Sequence, residues 1–183
     1  SGIDLNYAFR LQPEGGPVAM ESPAHLGPIL QDTTLTVIFE FVVNPSASQS
    51  DHVRMLDGLL KANIAAHPTA VPPLRVQIER SISDKAGDAP PPTSILRALS
   101  RLTLYRLQER AREEVRAGHY EAATHHLKNL AQHLLSQGEK DLAKTALLEA
   151  NNLERMQSLS PNGGKEIKYG TRALLLSSAE DSK

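Results

Sequence analysis

Residues 84–117 read DKAGDAPPPTSILRALSRLTLYRLQERAREEVRA, and the hydrophobic period changes inside them. From Asp84 to Pro92, glycine, aspartate and three consecutive prolines can continue neither strand nor helix, so 84–92 is expected to be a semi-rigid linker. Beyond it, Ile95, Leu99, Leu102 and Tyr105 recur at helical spacing, and Leu96, Leu104, Leu107 and Ala111 widen that apolar face. Thr93 or Ser94 is the expected N-cap and Gly118 the stop. The same logic predicts a second helix over 120–136, with Ala123, Leu127, Leu130, Ala131 and Leu134 inward and Gly138 ending it. A third is predicted over 140–156, with Leu142, Ala143, Ala146, Leu147, Ala150 and Leu153 inward. Ser160–Gly164 breaks the chain again, and a short helix follows over 165–176. Residues 93–176 thus read as an antiparallel helical bundle of three long helices plus a short C-terminal one, followed by a disordered polar tail at 177–183.

Residues 1–83 have a different period. Leu5, Tyr7, Phe9 and Leu11 alternate with polar or small neighbours over 4–12, as in a half-buried strand. The Pro13–Pro17 cluster is a turn, a short strand is expected over 18–21, and His25–Leu30 reads as an irregular edge segment. The nearly continuous apolar run at 33–43 predicts a strand covered on both faces. The stretch 53–66 suits either helix or strand. The preferred reading is a hairpin that pairs 59–66 with 74–82 and places a bulge at Gly58. The expected fold class is therefore α+β: a small antiparallel β-sandwich-like domain over 1–83, then the bundle. A sheet that small leaves edges that need a cover.

Composition excludes several function classes. Twenty Lys and Arg against 21 Asp and Glu leave a net charge of −1, which argues against a general nucleic-acid binder. Aromatics make up 4% of the chain and tryptophan is absent, so base-stacking anchors are scarce. The absence of cysteine excludes disulfides and thiolate metal sites, and favours a reducing, cytoplasmic setting. No apolar run reaches the length of a membrane span. The opening Ser1-Gly2-Ile3-Asp4 reads as a processed or cut end.

The chain shows no catalytic motif: no nucleophile elbow, no phosphate-binding glycine loop and no His-Glu-x-x-His. His119, His126 and His133 recur every seven residues on the second helix, but that spacing is about 10 Å, too far for two imidazoles to share one ion. They are expected to form a solvated or interface stripe. Six arginines of the first helix (97, 101, 106, 110, 112 and 116) alternate with Glu109, Glu113 and Glu114, whose spacing provides ion pairs without any bound anion. Asn44-Pro45-Ser46-Ala47-Ser48 lacks the carboxylate that a hard cation wants and reads as a polar loop. The single candidate face is Lys165, Lys168 and Arg172, which share one side of the last helix just after Gly163-Gly164. An anion could meet free N–H groups there. No cofactor and no metal are expected.

The turn at Ala117–Ala123 is echoed at Gln137–Ala143, a glycine followed five residues later by an inward alanine. The interval is one helix, shorter than the 34-residue tetratricopeptide unit, so it marks Gly turns of a bundle.

Several stretches resemble one group of bacterial proteins: Arg101–Ala111, the Gly118–Ala123 turn, Leu130-Ala131, Gly138-Glu139 with Leu142-Ala143, and Ile167–Leu174. They are similar to the region C-terminal to the von Willebrand factor type A domain in bacterial proteins that carry this domain. Residues 1–83, including His25-Leu26-Gly27 and the strand at 35–43, look like the segment joining that domain to the helices. The resemblance implies a non-catalytic scaffolding or protein–protein interaction module accessory to the type A domain. Its expected partner is that domain, another protein or a second copy in a homodimer, with no nucleic acid and no membrane span. The alternative is an anion- or nucleotide-responsive helical regulatory domain centred on Lys165, Lys168 and Arg172.

Overall fold

The computed structural model describes residues 3–44, 52–64, 71–81 and 90–176. The element order is β1 (Ile3–Gln12), β2 (Gly16–Pro17), β3 (Thr36–Val43), β4 (His52–Leu60), β5 (Leu74–Ser81), α1 (Thr93–Ala117), α2 (Tyr120–Ser136), α3 (Lys140–Met156) and α4 (Gly163–Leu176). The protein is α+β, with small antiparallel sheets followed by four helices. One sheet has the order β2-β1-β3 and the other is the β4–β5 pair. Two compact units emerge, Ser1–Ala8 with Phe39–Pro90 and Phe9–Ile38 with Pro91–Lys183, and the division falls inside β1 and β3. The Pro-rich linker up to Ala89, Pro45–Ser48 and the tail from Ser177 lie outside the described residues.

In the first unit, β4 pairs antiparallel with β5 from His52↔Ser81 to Leu60↔Leu74. The strand reading of this stretch holds, but the register differs from the 59–66/74–82 hairpin expected above. Residues 61–64 belong to no strand. Pro72 and Pro73, just before Leu74, lack the N–H that would carry the ladder further in that direction. The bulge is also displaced: the register shifts between Arg54 and Leu56, while Gly58 pairs regularly with Val76. Met55, as the extra residue, restores the alternation of faces. One face then collects Arg54, Asp57, Arg75 and Glu79. Arg54 Nε donates to Glu79 at 3.0 Å, and the Arg75 guanidinium donates to both Asp57 oxygens at 3.2 and 3.0 Å. The Arg75 hydrogen bond holds the Asp57 carboxyl below its ordinary range, and Arg54 with Gln77 does the same for Glu79. Leu56, Leu60, Leu74, Val76 and Ile78 take the opposite face. Polar bridges elsewhere in this unit join Asn6 to Glu40 (2.7 Å) and Asn44 to Asp4 (3.2 Å).

In the second unit the helices follow the glycine and proline punctuation closely. The expected cap is corrected: Pro92, not Thr93 or Ser94, precedes the first helical residue, and its carbonyl accepts from Ile95 N and Leu96 N. Proline's fixed φ and missing N–H suit that edge of a helix. Gly118 and Gly138 adopt φ of +80° and +85°, which glycine accepts without a Cβ clash. Both turns close alike, since Ala123 N bonds His119 O and Ala143 N bonds Glu139 O, each at 3.0 Å. Connections of two residues (118–119) and three residues (137–139) reverse the chain, and Gln137 after α2 reaches Ser100 on α1 at 2.9 Å. The core joins Leu104 and Ala111 of α1, Leu127, Leu130 and Leu134 of α2, Ala146, Ala150 and Leu153 of α3, and Ile167 of α4. Small residues bring the helices close. A Cβ added to Gly170 of α4 would lie 2.6 Å from Leu142 Cδ1 of α3.

Segment 9–38 belongs to the same unit. Phe9 is fully buried, its ring centroid 4.7 Å from that of Tyr105 on α1. Arg10 ties the following loop, donating from Nε to Glu14 O (2.9 Å) and from a terminal nitrogen to Leu26 O (3.0 Å). Gly27, at φ +86°, leaves the room that this guanidinium occupies. The short strand expected over 18–21 is instead Gly16–Pro17, paired with Arg10 and Phe9. Pro17 cannot donate, and Val18 is buried without joining a ladder. β3 is half-buried or exposed along its length, so its apolar run does not mark a strand covered on both faces.

Candidate functional site

The candidate face rides on α4. Helix α4 begins at Gly163, two residues before the expected Lys165. Its first turn is organised by a carboxylate of the protein itself. Glu149, on α3, is only 3% exposed and accepts hydrogen bonds from Ser160 N (2.7 Å), Ser160 Oγ (2.7 Å) and Asn152 Nδ2 (3.1 Å). Gly163 N in turn donates to Ser160 Oγ at 2.9 Å. A Cβ on Gly163 would collide with that carboxylate, so the glycine permits the approach. The electropositive helix start therefore already faces a negative group.

Lys165 and Arg172 are exposed and make no hydrogen bond or ion pair among the described residues; Lys168 is half-buried. Lys168 Nζ lies 5.5 Å from the centroid of the neighbouring Tyr169 ring, within cation–π range. The three cations share one face by spacing, but among the described residues no hydrogen bond or ion pair joins them to each other or to Gly164. The second signal in the sequence, the histidine stripe, is also dispersed. His119 is exposed with Nδ1 2.8 Å from Glu114, and His133 is exposed on its own. His126 is half-buried with its Nδ1 unpartnered among the described residues, and its neighbour His125 bonds Asn129. Among the described residues, no group of three or more His, Asp or Glu could hold a metal ion, and no helix is long and apolar enough to cross a membrane. Of the interleaved charges on α1, Arg112 and Glu109 form the expected i,i+3 pair at 2.8 Å.

A second surface lies at the other end of the bundle. Ile95, Leu96 and Leu99, expected to face inward, are 47–49% exposed. The reason is length. Ser100 is level with Gln137, where α2 has already ended, so the first turns of α1 overhang it by seven residues, about 10 Å. That overhang carries three large aliphatic side chains and no acidic residue in its first turn. Leu147 of α3 is likewise 40% exposed instead of inward.

Four polar residues are buried among the described residues, Gln108, Thr124, Glu149 and Thr171, and two of them carry a signal in the sequence. Glu149 lies three residues after Ala146 and four before Leu153; Gln108 lies four after Leu104 and three before Ala111. Both sit on the inward stripes, and that spacing was the available signal. No curated protein and no solved structure matches this chain. What is matched is the run of four helices just described: residues 93–177 are similar to the family described as Sll0103-like, C-terminal alpha-helical domain.

Proposed function

We propose that the chain is a non-catalytic protein–protein interaction or scaffolding module accessory to a von Willebrand factor type A domain. The observation that carries this reading is the α1 overhang, where Ile95, Leu96 and Leu99 leave about half their surface in water. A contiguous aliphatic patch at one helix end has a hydration cost that a partner surface removes. Arg97 lies within it, so a partner with an apolar centre and an acidic rim fits best. The type A domain is the preferred partner on the strength of the resemblance, with a second copy as the other occupant. The cysteine-free sequence supports a cytoplasmic setting within the same proposal.

Replacing Leu96 and Leu99 together by Asp tests it. Calorimetric titration with a type A domain, and light scattering over a concentration series, should show association weakened at least tenfold. The circular dichroism melt should be unchanged. Unaltered association in the double variant would sink the proposal.

The anion-responsive alternative rests on Lys165, Lys168 and Arg172. Glu149 weighs against it, because its carboxylate already stands at the start of α4 and would repel a second anion. Saturating phosphate compounds are expected to leave the melting temperature unchanged, and Lys168→Ala to be silent. A selective rise that Lys168→Ala abolishes would instead favour the alternative.

A further inference from the structure

Gln108 of α1 is 1% exposed, and both its Nε2 and Oε1 are buried without a hydrogen-bond partner among the described residues. Exchanging the amide N and O cannot mend this, because both ends are orphaned. Such burial is strongly disfavoured unless something else supplies the partners. Gln108 lines a small cavity among α1, α2 and α4, together with Ala111, Leu127, Ile167 and Gly164. Gly164 belongs to the first turn of α4, where no intrahelical carbonyl reaches its N–H.

We propose that this cavity binds one structural water, held by the Gln108 amide and the first turn of α4, which links α1 to α4. Size decides the class of ligand. The space open to a water centre is about 10 Å3, the least that accommodates one molecule. Phosphate or sulfate would not fit, and the Glu149 carboxylate next to Gly163 would repel it. The Arg112 guanidinium at the rim is paired with Glu109, which leaves Gln108 as the polar side chain needing a partner. A water can donate to Oε1, accept from Nε2 and accept from an N–H of the α4 start, which meets the two to four contacts that a buried water makes.

The test is solution NMR on the whole chain. The Gln108 side-chain NH2 should show a cross-peak to a water with a residence time beyond about a nanosecond. Oxygen-17 relaxation dispersion should count one fewer long-lived water in Gln108→Leu than in the wild type. An absent cross-peak, or an equal count in the two proteins, overturns the proposal. So does a shift of the Gln108 NH2 resonances on titration with sulfate, which would assign the cavity to an anion. If Gln108→Leu does not fold, the wild-type cross-peak alone decides.

Discussion

Phe9→Ala should cost the protein about 3–5 kcal/mol, the range for removing a large aromatic from a packed interior. Phe9 precedes the helices by more than eighty residues, yet it is fully buried with its ring against Tyr105 of α1. Truncation removes the transfer energy of a phenyl ring and leaves Tyr105 facing a cavity. The tilted contact between the two rings is lost as well. Urea unfolding followed by the helical circular dichroism signal checks this, because that signal reports on α1–α4 and not on β1. A lowered midpoint with an unchanged slope is expected for Phe9→Ala, and a much smaller change for Phe9→Leu. A helical signal indifferent to Phe9→Ala would show that segment 9–38 is no part of the helical unit's core.

Glu149→Ala is the second large effect, about 2–3 kcal/mol. The carboxylate gathers Ser160 N, Ser160 Oγ and Asn152 Nδ2, and through Ser160 it holds Gly163 N at the head of α4. Alanine would strand those donors and remove the negative group that offsets the dipole of α4. Glu149→Gln keeps the shape and one acceptor, so it should fall between alanine and the wild type. Hydrogen exchange supplies a local reading, with the Ser160 and Gly163 amides losing protection in Glu149→Ala ahead of α2. Unchanged stability and exchange would mean that the carboxylate does not organise this turn.

The start of α4 shows how far the candidate site was legible. Gly163-Gly164 and the i, i+3, i+7 cations at Lys165, Lys168 and Arg172 point to an anion at a helix N-terminus. An anion is indeed at that N-terminus, but it is Glu149, supplied from α3. In the sequence, Glu149 is one more polar residue in LLEANN; only its place between Ala146 and Leu153 on the inward stripe hinted at burial. Gln108 carried the same signal. A polar residue on an apolar helical stripe is thus more informative here than the exposed charges, because its burial demands a partner.

The local chemistry of the chain determined the α+β class, the bounds of α1, α2 and α3 and the inward positions of α2. Gly118, Gly138 and the Pro90–Pro92 run act on backbone φ and on N–H supply within a few residues, so no distant contact is needed to read them. The tertiary structure alone decided the register of β4 and β5, the exposure of Ile95, Leu96 and Leu99, and the joining of Phe9 to the helices. Strand register depends on which cross-strand side chains meet, and alternation at 60–66 is as regular as the pairing at 52–60 that prevails. Burial of an amphipathic face depends on whether a neighbouring helix is long enough to cover it, and α2 ends level with Ser100. Such facts belong to pairs of residues far apart in sequence, and hydrophobic period, a property of one segment at a time, does not encode them.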